Sequence, residues 1–452
     1  MISLRPKREE EPTAVAFEPI AMVEVEIGKP LPGLIPPPTP TGDPYPLALA
    51  FVRLHGTPVG LVRLRLDARG ALGAEALVAA LWPEIGAAVN RHLAEDRLPP
   101  VERLTPAGLP CADRPWCLVD RDDFLLDPPA ITVLIPSRER PERLRRCLNS
   151  IFACDYPAGL LSVLVVDNAP ETDATLKLVE ELAAGGAPVS YAREDAPGSA
   201  SARNRGLALV ETELVAMTDD DTLVDRYWPC EVARAFAANP EADCVTGLLV
   251  PAELDSAPQV WFEQYGGFTR GFEPRRFDLG ANRPAEALFP WTAGAFGTGN
   301  NFSFRAAALR EIGGFDPALG NGTPALGGVD SEALLRTVLS GQTIVYEPRA
   351  VVHHAHRPDY ENLRRQVYSY GVGLTAYYLK TLLARPSLAW DFLPKIPVGL
   401  RFMLSPDSEL NDAKLEDYPA ELNRLERRGM LIGPWAYAKS RRRYGPHRVP
   451  MP

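Results

Sequence analysis

Leu214-Val-Ala-Met-Thr-Asp-Asp-Asp221 joins a short apolar run to three consecutive aspartates. The apolar run predicts a buried strand, so the aspartates fall at its carboxyl end, the edge at which open α/β sheets bind their ligands. Crowded carboxylates repel each other, and they are most easily kept together around a divalent cation that prefers oxygen ligands. The alternative is a solvated corner between strand and turn, since aspartate is common in turns.

Two other apolar runs extend this pattern. Residues 131–135 (ITVLI) stop at Pro136, and residues 160–166 (LLSVLVV) stop at Asp167. Between them, residues 141–152 begin with proline and carry apolar residues at helical spacing. The order strand, helix, strand predicts a right-handed βαβ unit in a parallel sheet covered on both faces. Asp167 is therefore expected at the same sheet edge as the aspartate triplet.

A series of short motifs in a fixed order resembles the family 2 glycosyltransferases of the GT-A fold. The motifs are ITVLIPS (131–137), VVDN (165–168), SARNRG (201–206), DDD (219–221), GTGNN (297–301), GGFD (313–316), GGVDSE (327–332) and VVHH (351–354). The resemblance covers about residues 130–357, roughly half of the chain. It implies a Rossmann-like, mostly parallel central sheet flanked by helices. It also implies metal-dependent transfer of a sugar from a nucleotide-sugar to an acceptor hydroxyl, with inversion.

The resemblance assigns a set of residues to the donor. They are Pro136, Ser137, Asp167, Arg203, Asn204, Asp219 and Asp220. A carboxylate such as Asp167 can accept hydrogen bonds from a base or a ribose hydroxyl, and a helix N-terminus near Arg203 favours anions. The alternatives are a helix cap or Asx turn for Asp167, and a surface helix whose arginines pair with solvent-facing acids.

The resemblance also assigns a metal site. Asp221 would bind Mn²⁺ or Mg²⁺, and His354 would complete the metal shell or contact phosphate. His353 and His354 are adjacent on a predicted strand and therefore point to opposite faces, so they cannot share one metal. His356 follows closely, and solvated loop histidines are the alternative for this group.

The catalytic base matches Asp330 in the segment 327–332. The preceding family carboxylate is replaced by Val329, which removes a neighbour that could raise the pKa of the base. Glu332 could partly substitute for the lost carboxylate. The alternative role for Asp330 is an N-cap of the helix predicted over 331–339.

Four regions are predicted along the chain. Residues 1–45 are expected to form an extended Pro-rich arm, and residues 46–126 a small α/β module with a hairpin over 47–66 and a helix near 74–95. Residues 127–357 form the catalytic domain, and residues 358–452 a helical region with a basic tail. Bracing of the catalytic domain is the default role for the small module.

Glycine-rich stretches and three aromatic residues suit substrate contacts. Residues 294–301 and 320–328 have the composition of loops that order when a donor binds. Trp261, Tyr265 and Trp291 could stack on sugar faces, and aromatic core packing is the alternative.

Composition limits the partners. The net charge is −10, which argues against general nucleic-acid binding. The six cysteines lack zinc-type spacing, so neither a disulfide framework nor a structural metal is expected. The absence of a long apolar segment and the charged N-terminus favour a cytoplasmic enzyme, with possible peripheral membrane contact through the basic tail. A UDP-sugar is the favoured donor, and the acceptor could be a glycan, a lipid-linked sugar or a small molecule.

Two other function classes stay open at this point. A nucleotidyltransferase would require a glycine-rich phosphate loop after the first strand, but residues 136–141 (PSRERP) contain no glycine. A catalytically decayed nucleotide-sugar-binding scaffold is suggested only by Val329.

Overall fold

The computed structural model describes residues 17–111, 114–267, 269–405, 408, 411, 414 and 417–445. Its strands are β1 (Ile20–Glu26), β2 (Gly33–Leu34), β3 (Leu47–Leu54), β4 (Thr57–Arg65), β5 (Leu72–Gly73), β6 (Ile131–Ser137), β7 (Leu161–Asn168), β8 (Val189–Glu194), β9 (Leu214–Met217), β10 (Thr222–Val224), β11 (Ala242–Pro251), β12 (Arg275–Phe277), β13 (Phe302–Arg305) and β14 (Thr343–His354). Its α-helices are α1 (Ala74–Glu95), α2 (Trp116–Phe124), α3 (Pro141–Phe152), α4 (Ala174–Ala184), α5 (Ser199–Leu209), α6 (Trp228–Ala238), α7 (Ala257–Gln264), α8 (Ala306–Glu311), α9 (Val329–Leu339), α10 (Tyr360–Ala384), α11 (Ala389–Phe392), α12 (Ile396–Leu404) and α13 (Ala420–Tyr444).

The N-terminal module is a three-stranded sheet, in the order β1-β3-β4, packed on α1. The predicted hairpin corresponds to β3 and β4, which pair antiparallel. The predicted arm differs from the structure, because residues 20–26 form β1 and pair in parallel with β3. Apolar residues recur through this segment and are buried in the sheet, a strand pattern that the surrounding prolines obscure. The first 16 residues of the predicted arm lie outside the described part of the chain.

The central sheet has the order β10-β14-β11-β13-β9-β6-β7-β8, and β12 pairs with β14. Strands β9, β6, β7 and β8 are mutually parallel, as the continuous apolar runs predict. The antiparallel strand β13 connects them to the second half of the sheet. This α/β architecture, with helices on both faces and a helical C-terminal region, confirms the predicted fold class.

Alternate side chains of β6 face two different cores. Ile131, Val133 and Ile135 pack in the core that contains α3, whereas Leu134 packs in the core that contains α5. Gly206 of α5 lies so close to Leu134 that an added Cβ would meet its side chain at 2.1 Å. Both faces of the strand are therefore buried, and its carboxyl end is the part that remains open to ligands.

Two long C-terminal helices, α10 and α13, pack backbone against backbone. Gly371, Gly429 and Gly433 make the close approach possible; a Cβ at Gly429 would meet the Tyr368 carbonyl oxygen at 2.3 Å. The α13 helix is also joined to the catalytic domain, because the Tyr437 hydroxyl donates to Asp316 at 2.9 Å. Of the predicted basic tail, Arg448 lies beyond the described residues. Among the described helices, none is long and apolar enough to cross a membrane.

Candidate active site

A cavity of about 1760 Å³ opens at the carboxyl ends of the parallel strands. Its wall includes Pro136, Ser137, Arg203, the Asp219–Asp221 triplet, Asp330 and His354. The aspartates come from the turn after β9, Ser137 from the end of β6, and Asp330 from the first turn of α9. Residues from Pro136 to His354, distant in sequence, therefore share one cavity.

The three aspartates have different neighbours. Asp219 accepts hydrogen bonds from Arg203 at 3.0 Å and from Asn300 at 2.9 Å. Asp220 accepts from the Ser137 hydroxyl at 2.8 Å and from Arg140 at 3.2 Å. Burial raises the pKa of both carboxyl groups. The adjacent aspartates raise these pKa values further, and the arginines lower them.

Asp221 lies between a histidine and several arginines. Its Oδ1 is 3.7 Å from His354 Nε2, and its Oδ2 is 3.3 Å from Arg357 and 3.5 Å from Arg140. The carboxylate is buried, with 5% of its side chain exposed. A carboxylate oxygen and an imidazole nitrogen at this separation can converge on one cation.

A chain of hydrogen bonds orients the His354 ring. The Glu263 carboxylate accepts from His356 Nε2 at 2.6 Å, and His356 Nδ1 lies 2.9 Å from His354 Nδ1. If the Nδ1 atom of His356 accepts this hydrogen bond, His354 carries its proton on Nδ1 and donates it. The Nε2 atom of His354 is then unprotonated. Burial lowers the pKa of His354 to about 4, which keeps the ring neutral at physiological pH. Outer carboxylates orient metal-binding histidines in the same way.

His353 faces away from this site, as the strand geometry predicts. Its ring packs edge-on against Phe51 of the N-terminal module, with centroids 5.9 Å apart. Burial lowers its pKa to about 4. His356 instead belongs to the chain that orients His354.

Asp330 is joined to the aspartate triplet through one loop. Its Oδ2 accepts from the Gly299 backbone N–H at 3.0 Å, and the neighbouring Asn300 donates to Asp219. A side chain at Gly299 would clash, because an added Cβ would lie 2.8 Å from the Asp330 Cβ. Gly328, with φ of 82°, precedes α9 and turns Asp330 towards the cavity. One carboxylate is therefore held at the cavity wall and connected to the acidic triplet through Gly299 and Asn300.

Glu332 does not face the cavity, contrary to its expected role as a substitute carboxylate. It is 1% exposed and forms ion pairs with Arg336, at 2.9 Å, and with Lys380. The reason is helical geometry: Arg336 lies four residues along the same face of α9, which points into the core. Val329 is buried in the neighbouring apolar cluster.

Two of the predicted donor residues do not line the cavity. The Asn204 side chain donates to and accepts from the Phe315 backbone, both at 2.8 Å. Asp167 is fully buried beside Ser137 in the sheet register and accepts from the Tyr191 hydroxyl at 3.1 Å. Burial raises the pKa of Asp167. Its neighbour Asn168 lines the cavity, and its side chain bridges to the loop before α5.

The arginines around the triplet were not predicted from the sequence. Arg140, Arg143 and Arg357 lie within 4.0 Å of Asp221, and each is partly exposed. The PSRERP segment contains Arg140 and was considered only for its lack of glycine. Its arginine content was the available signal, whereas the position of Arg357 depends on the tertiary fold.

The remaining cavity wall is largely apolar and aromatic. Trp291 and Tyr265 line it but are also hydrogen-bonded to acids, Trp291 to Asp391 at 2.7 Å and Tyr265 to Glu426 at 2.5 Å. Trp261 packs against Tyr360 outside the cavity wall. Both glycine-rich loops contribute to the wall. Farther from the carboxylates, α10, α12 and α13 add a set of apolar side chains, Leu374, Leu379, Leu382, Leu400, Phe402, Met403, Leu404, Met430 and Leu431.

Comparison with known proteins gives a family match. Residues 132–313 match the model of glycosyl transferase family 2. Half of the chain is 23% identical, over 227 residues, to a glucosyl-dolichyl phosphate glucuronosyltransferase of Haloferax volcanii, covering 68% of that protein. Half is 29% identical, over 230 residues, to a pre-mycofactocin glycosyltransferase of Mycobacterium tuberculosis, covering 43% of that protein. The chain therefore aligns with less than half of the second relative's length.

Among solved structures, a similar one is the mannosyltransferase PcManGT from Pyrobaculum calidifontis in complex with GDP-Man and Mn²⁺. The likeness has a TM-score of 0.41 at 18% identity, and covers 71% of this chain and 79% of that one. The family match rests on the sequence comparisons.

Proposed function

We propose that the chain, whose residues 132–313 match glycosyl transferase family 2, moves a sugar from a nucleotide-sugar to an acceptor hydroxyl with inversion at the anomeric carbon. The observation that carries this proposal is the shared cavity, in which Asp330 and the aspartate triplet are joined through Gly299 and Asn300. Inversion by direct displacement requires a base on one side of the anomeric carbon and charge stabilisation on the other.

The residues present fit a divalent cation. Asp221 and His354 would hold it, since an acidic oxygen and an unprotonated imidazole nitrogen converge 3.7 Å apart in a buried site. A bound Mn²⁺ or Mg²⁺ would supply Lewis acidity that stabilises negative charge on the leaving diphosphate. Arg140 and Arg357 would pair with the same diphosphate, because they line the cavity beside Asp221 and are partly exposed.

The donor would bind along the sheet edge. Pro136, Ser137, Arg203, Asp219 and Asp220 line that part of the cavity. Asp167 and Asn204 would act one layer behind, since Asp167 lies beside Ser137 in the sheet and Asn204 fixes the backbone at Phe315. A UDP-sugar remains the favoured donor.

Asp330 would act as the general base. It is partly exposed at the wall, it accepts one backbone hydrogen bond, and its second oxygen can take the acceptor's proton. With Glu332 committed to Arg336 and Lys380, Asp330 is the carboxylate of this segment that can reach an acceptor.

The acceptor is proposed to carry an apolar portion, such as a lipid-linked sugar. The cavity continues from Asp330 into the apolar side chains of α10, α12 and α13. Large apolar residues beside that opening are exposed to solvent, including Trp390, Leu404, Leu431 and Trp435. A surface of this kind suits contact with a membrane that presents the acceptor. One of the relatives is named for a dolichyl phosphate substrate.

A donor panel tests the proposal. The full chain is incubated with UDP-, GDP- and dTDP-sugars and Mn²⁺, and thermal shift and nucleoside diphosphate release are measured together. We expect one nucleotide class to stabilise the protein and to be slowly hydrolysed. Release of pyrophosphate from a nucleoside triphosphate and a sugar phosphate would identify a nucleotidyltransferase instead. Stabilisation without any turnover, with or without lipid-linked acceptors, would identify a binding protein.

A further inference from the structure

A second polar cluster lies in the N-terminal module, and none of its members lines the cavity. His55 comes from the turn between β3 and β4, His92 and Asp96 from the end of α1, and Cys117 from the first turn of α2. The two histidines and Asp96 are buried, and Cys117 is half-buried. These four residues are called the His–Asp–Cys cluster below.

One atom of each residue points to a common centre. His55 Nδ1 lies 2.8 Å from Asp96 Oδ2 and 3.2 Å from His92 Nε2, and His92 Nε2 lies 3.2 Å from the same oxygen. Cys117 Sγ is 3.1 Å from Asp96 Oδ2 and 3.7 Å from His92 Nε2. All four atoms lie within 4.8 Å of one another.

These separations have the size of the edges of a small tetrahedron. Zinc binds nitrogen and oxygen at about 2.0–2.2 Å and thiolate sulfur at about 2.3 Å. For tetrahedral angles, those bonds give ligand separations of about 3.3 Å between nitrogen and oxygen atoms and about 3.6 Å to sulfur. The five edges given above, 2.8–3.7 Å, lie within about 0.5 Å of these values. Nitrogen and sulfur donors favour zinc over magnesium or calcium, which prefer oxygen.

The hydrogen bonds of the cluster converge on one carboxylate oxygen. Asp96 Oδ1 already accepts the Cys117 backbone N–H at 2.7 Å, so the two ring nitrogens and the thiol all converge on Oδ2. The facing nitrogens of His55 and His92 cannot both carry protons at 3.2 Å. A cation at the centre would satisfy all four atoms at once.

Surrounding contacts aim the ligands at this centre. His55 has a φ of 55°, a left-handed conformation that few residues adopt, and Glu26 holds the turn by accepting from the backbone of His55 at 3.0 Å and of Gly56 at 2.8 Å. The outer ring nitrogen of His55 lies 3.3 Å from Cys111 Sγ. Outer partners of this kind fix the orientation of metal-binding histidines.

We propose that the His–Asp–Cys cluster is a structural zinc site that ties the β3–β4 turn, α1 and α2 together. The site is closed, with four protein ligands, as structural zinc sites are. The proposal departs from the expectation that the chain holds no structural metal. That expectation relied on cysteine spacing, whereas only one ligand is a cysteine and His92 and Asp96 are four residues apart at a helix end.

The site would also position the module on the catalytic domain. Arg121, one turn after Cys117 on α2, forms a buried ion pair with Glu231 of α6 at 2.9 Å. Zinc at the start of α2 would thus hold this helix where Arg121 reaches Glu231. The inference is independent of the sugar-transfer proposal, because it uses none of the cavity residues.

Metal analysis of the full chain tests the inference. Protein expressed with zinc and passed through gel filtration should retain about one zinc per chain. Cys117→Ser and Asp96→Asn should lose it, whereas Cys154→Ser, the same substitution at a cysteine outside the cluster, should keep it. Asp221→Ala should also keep it, which separates this zinc from a cation in the cavity. Zinc that disappears with Asp221→Ala, or wild-type protein that retains none, would overturn the inference.

Cobalt substitution gives a readout that does not depend on variant folding. Co²⁺ added to metal-free wild-type chain should produce the intense visible bands of a tetrahedral site and a thiolate charge-transfer band. Zinc should abolish both bands at one equivalent. A pale octahedral spectrum without thiolate charge transfer would contradict the proposed ligands.

Discussion

Replacing Glu332 by glutamine should strongly destabilise the protein, because Glu332 is the only acid in a buried three-residue ion cluster among the described contacts. Arg336 and Lys380 both pair with it, and the exposed fractions of the three side chains are 6% or less. Arg336 also donates to the backbone carbonyls of Ile312 and Gly314. The cluster therefore joins α9, α10 and the loop that precedes α9.

The expected loss of stability is estimated from the pKa of Glu332, from the cost of breaking a buried ion pair and from the deprotonation of Lys380. Burial alone would raise the pKa of Glu332, but Arg336 and Lys380 outweigh it and lower the pKa from 4.5 to about 2. A displacement of that size corresponds to about 3 kcal/mol. Removing one partner of a buried ion pair costs about 3–5 kcal/mol. Without Glu332, Lys380 could become neutral only by losing its proton, which costs about 5 kcal/mol at pH 7 for an ordinary lysine. We expect Glu332→Gln to lower the free energy of unfolding by about 3–5 kcal/mol.

Urea unfolding of wild type and variant measures this difference. Glu361→Gln is the matched control, since Glu361 pairs with Arg364 and Arg365 on the exposed face of α10 and should change stability by less than about 0.5 kcal/mol. The pKa of Glu332 is depressed in the folded state, so its contribution is complete above pH 4.5 and is lost as the pH falls towards 2. The gap between wild type and Glu332→Gln should narrow over that range. The reasoning would be refuted if Glu332→Gln had the same free energy of unfolding as Glu361→Gln. It would also be refuted if the difference between wild type and Glu332→Gln increased on acidification.

Three further predictions concern the base, the helix packing and the basic helix. Asp330→Asn should keep donor binding and lower the transfer rate by about 10²–10⁴-fold, because the amide still accepts the Gly299 hydrogen bond but cannot take a proton. Asp359→Asn, at an exposed helix cap, is the control and should leave the transfer rate unchanged. A near-normal transfer rate of Asp330→Asn would mean that another residue is the base. Gly429→Ala should lower the free energy of unfolding by about 1–3 kcal/mol, because its Cβ would lie 2.3 Å from the Tyr368 carbonyl oxygen. Gly399→Ala is the control and should be tolerated, because its Cβ would lie 3.8 Å from the nearest atom. Equal stability of the two variants in urea would argue against the close packing of α10 and α13. The protein should bind to anionic vesicles at low salt and sediment with them. The double variant Arg442→Glu, Arg443→Glu should lose about 1 kcal/mol of binding free energy per charge, whereas the control Arg63→Glu, Arg65→Glu on the N-terminal module should bind as the wild type does. Unchanged binding of the Arg442→Glu, Arg443→Glu variant would argue against a membrane contact through α13.

The catalytic domain could be predicted because its signals are local. The apolar runs before Pro136, Asp167 and Thr218 are continuous, so both their strand character and their burial follow from the sequence. The same parallel strands fix the carboxyl edge, which is why Ser137 and the aspartate triplet meet as expected. Strand β1 was overlooked because its alternating apolar residues lie between proline-rich segments.

Interactions between distant segments could not be predicted in the same way. The hydrogen-bond series from Glu263 through His356 to His354 includes residues 93 positions apart. Neither the order of these residues nor the positions of their protons can be predicted from their spacing in the sequence. Glu332 was expected near the acceptor, but its helix face is decided by Lys380 and Arg336 in the core. The His–Asp–Cys cluster likewise assembles from a turn and two helices, so cysteine spacing carries no signal for it.

The central claim is that Asp221 and His354 bind a cation together with a nucleotide diphosphate. Calorimetric titration of the diphosphate identified by the donor panel tests it most directly, with Mn²⁺ and with chelator, on wild type, Asp221→Ala and the exposed control Asp173→Ala. The account predicts that wild type and Asp173→Ala bind at least about tenfold more tightly with Mn²⁺. It also predicts that Asp221→Ala shows no difference while remaining folded. Equal affinity of the wild type with and without the cation, or an intact Mn²⁺ effect in Asp221→Ala, would contradict the account.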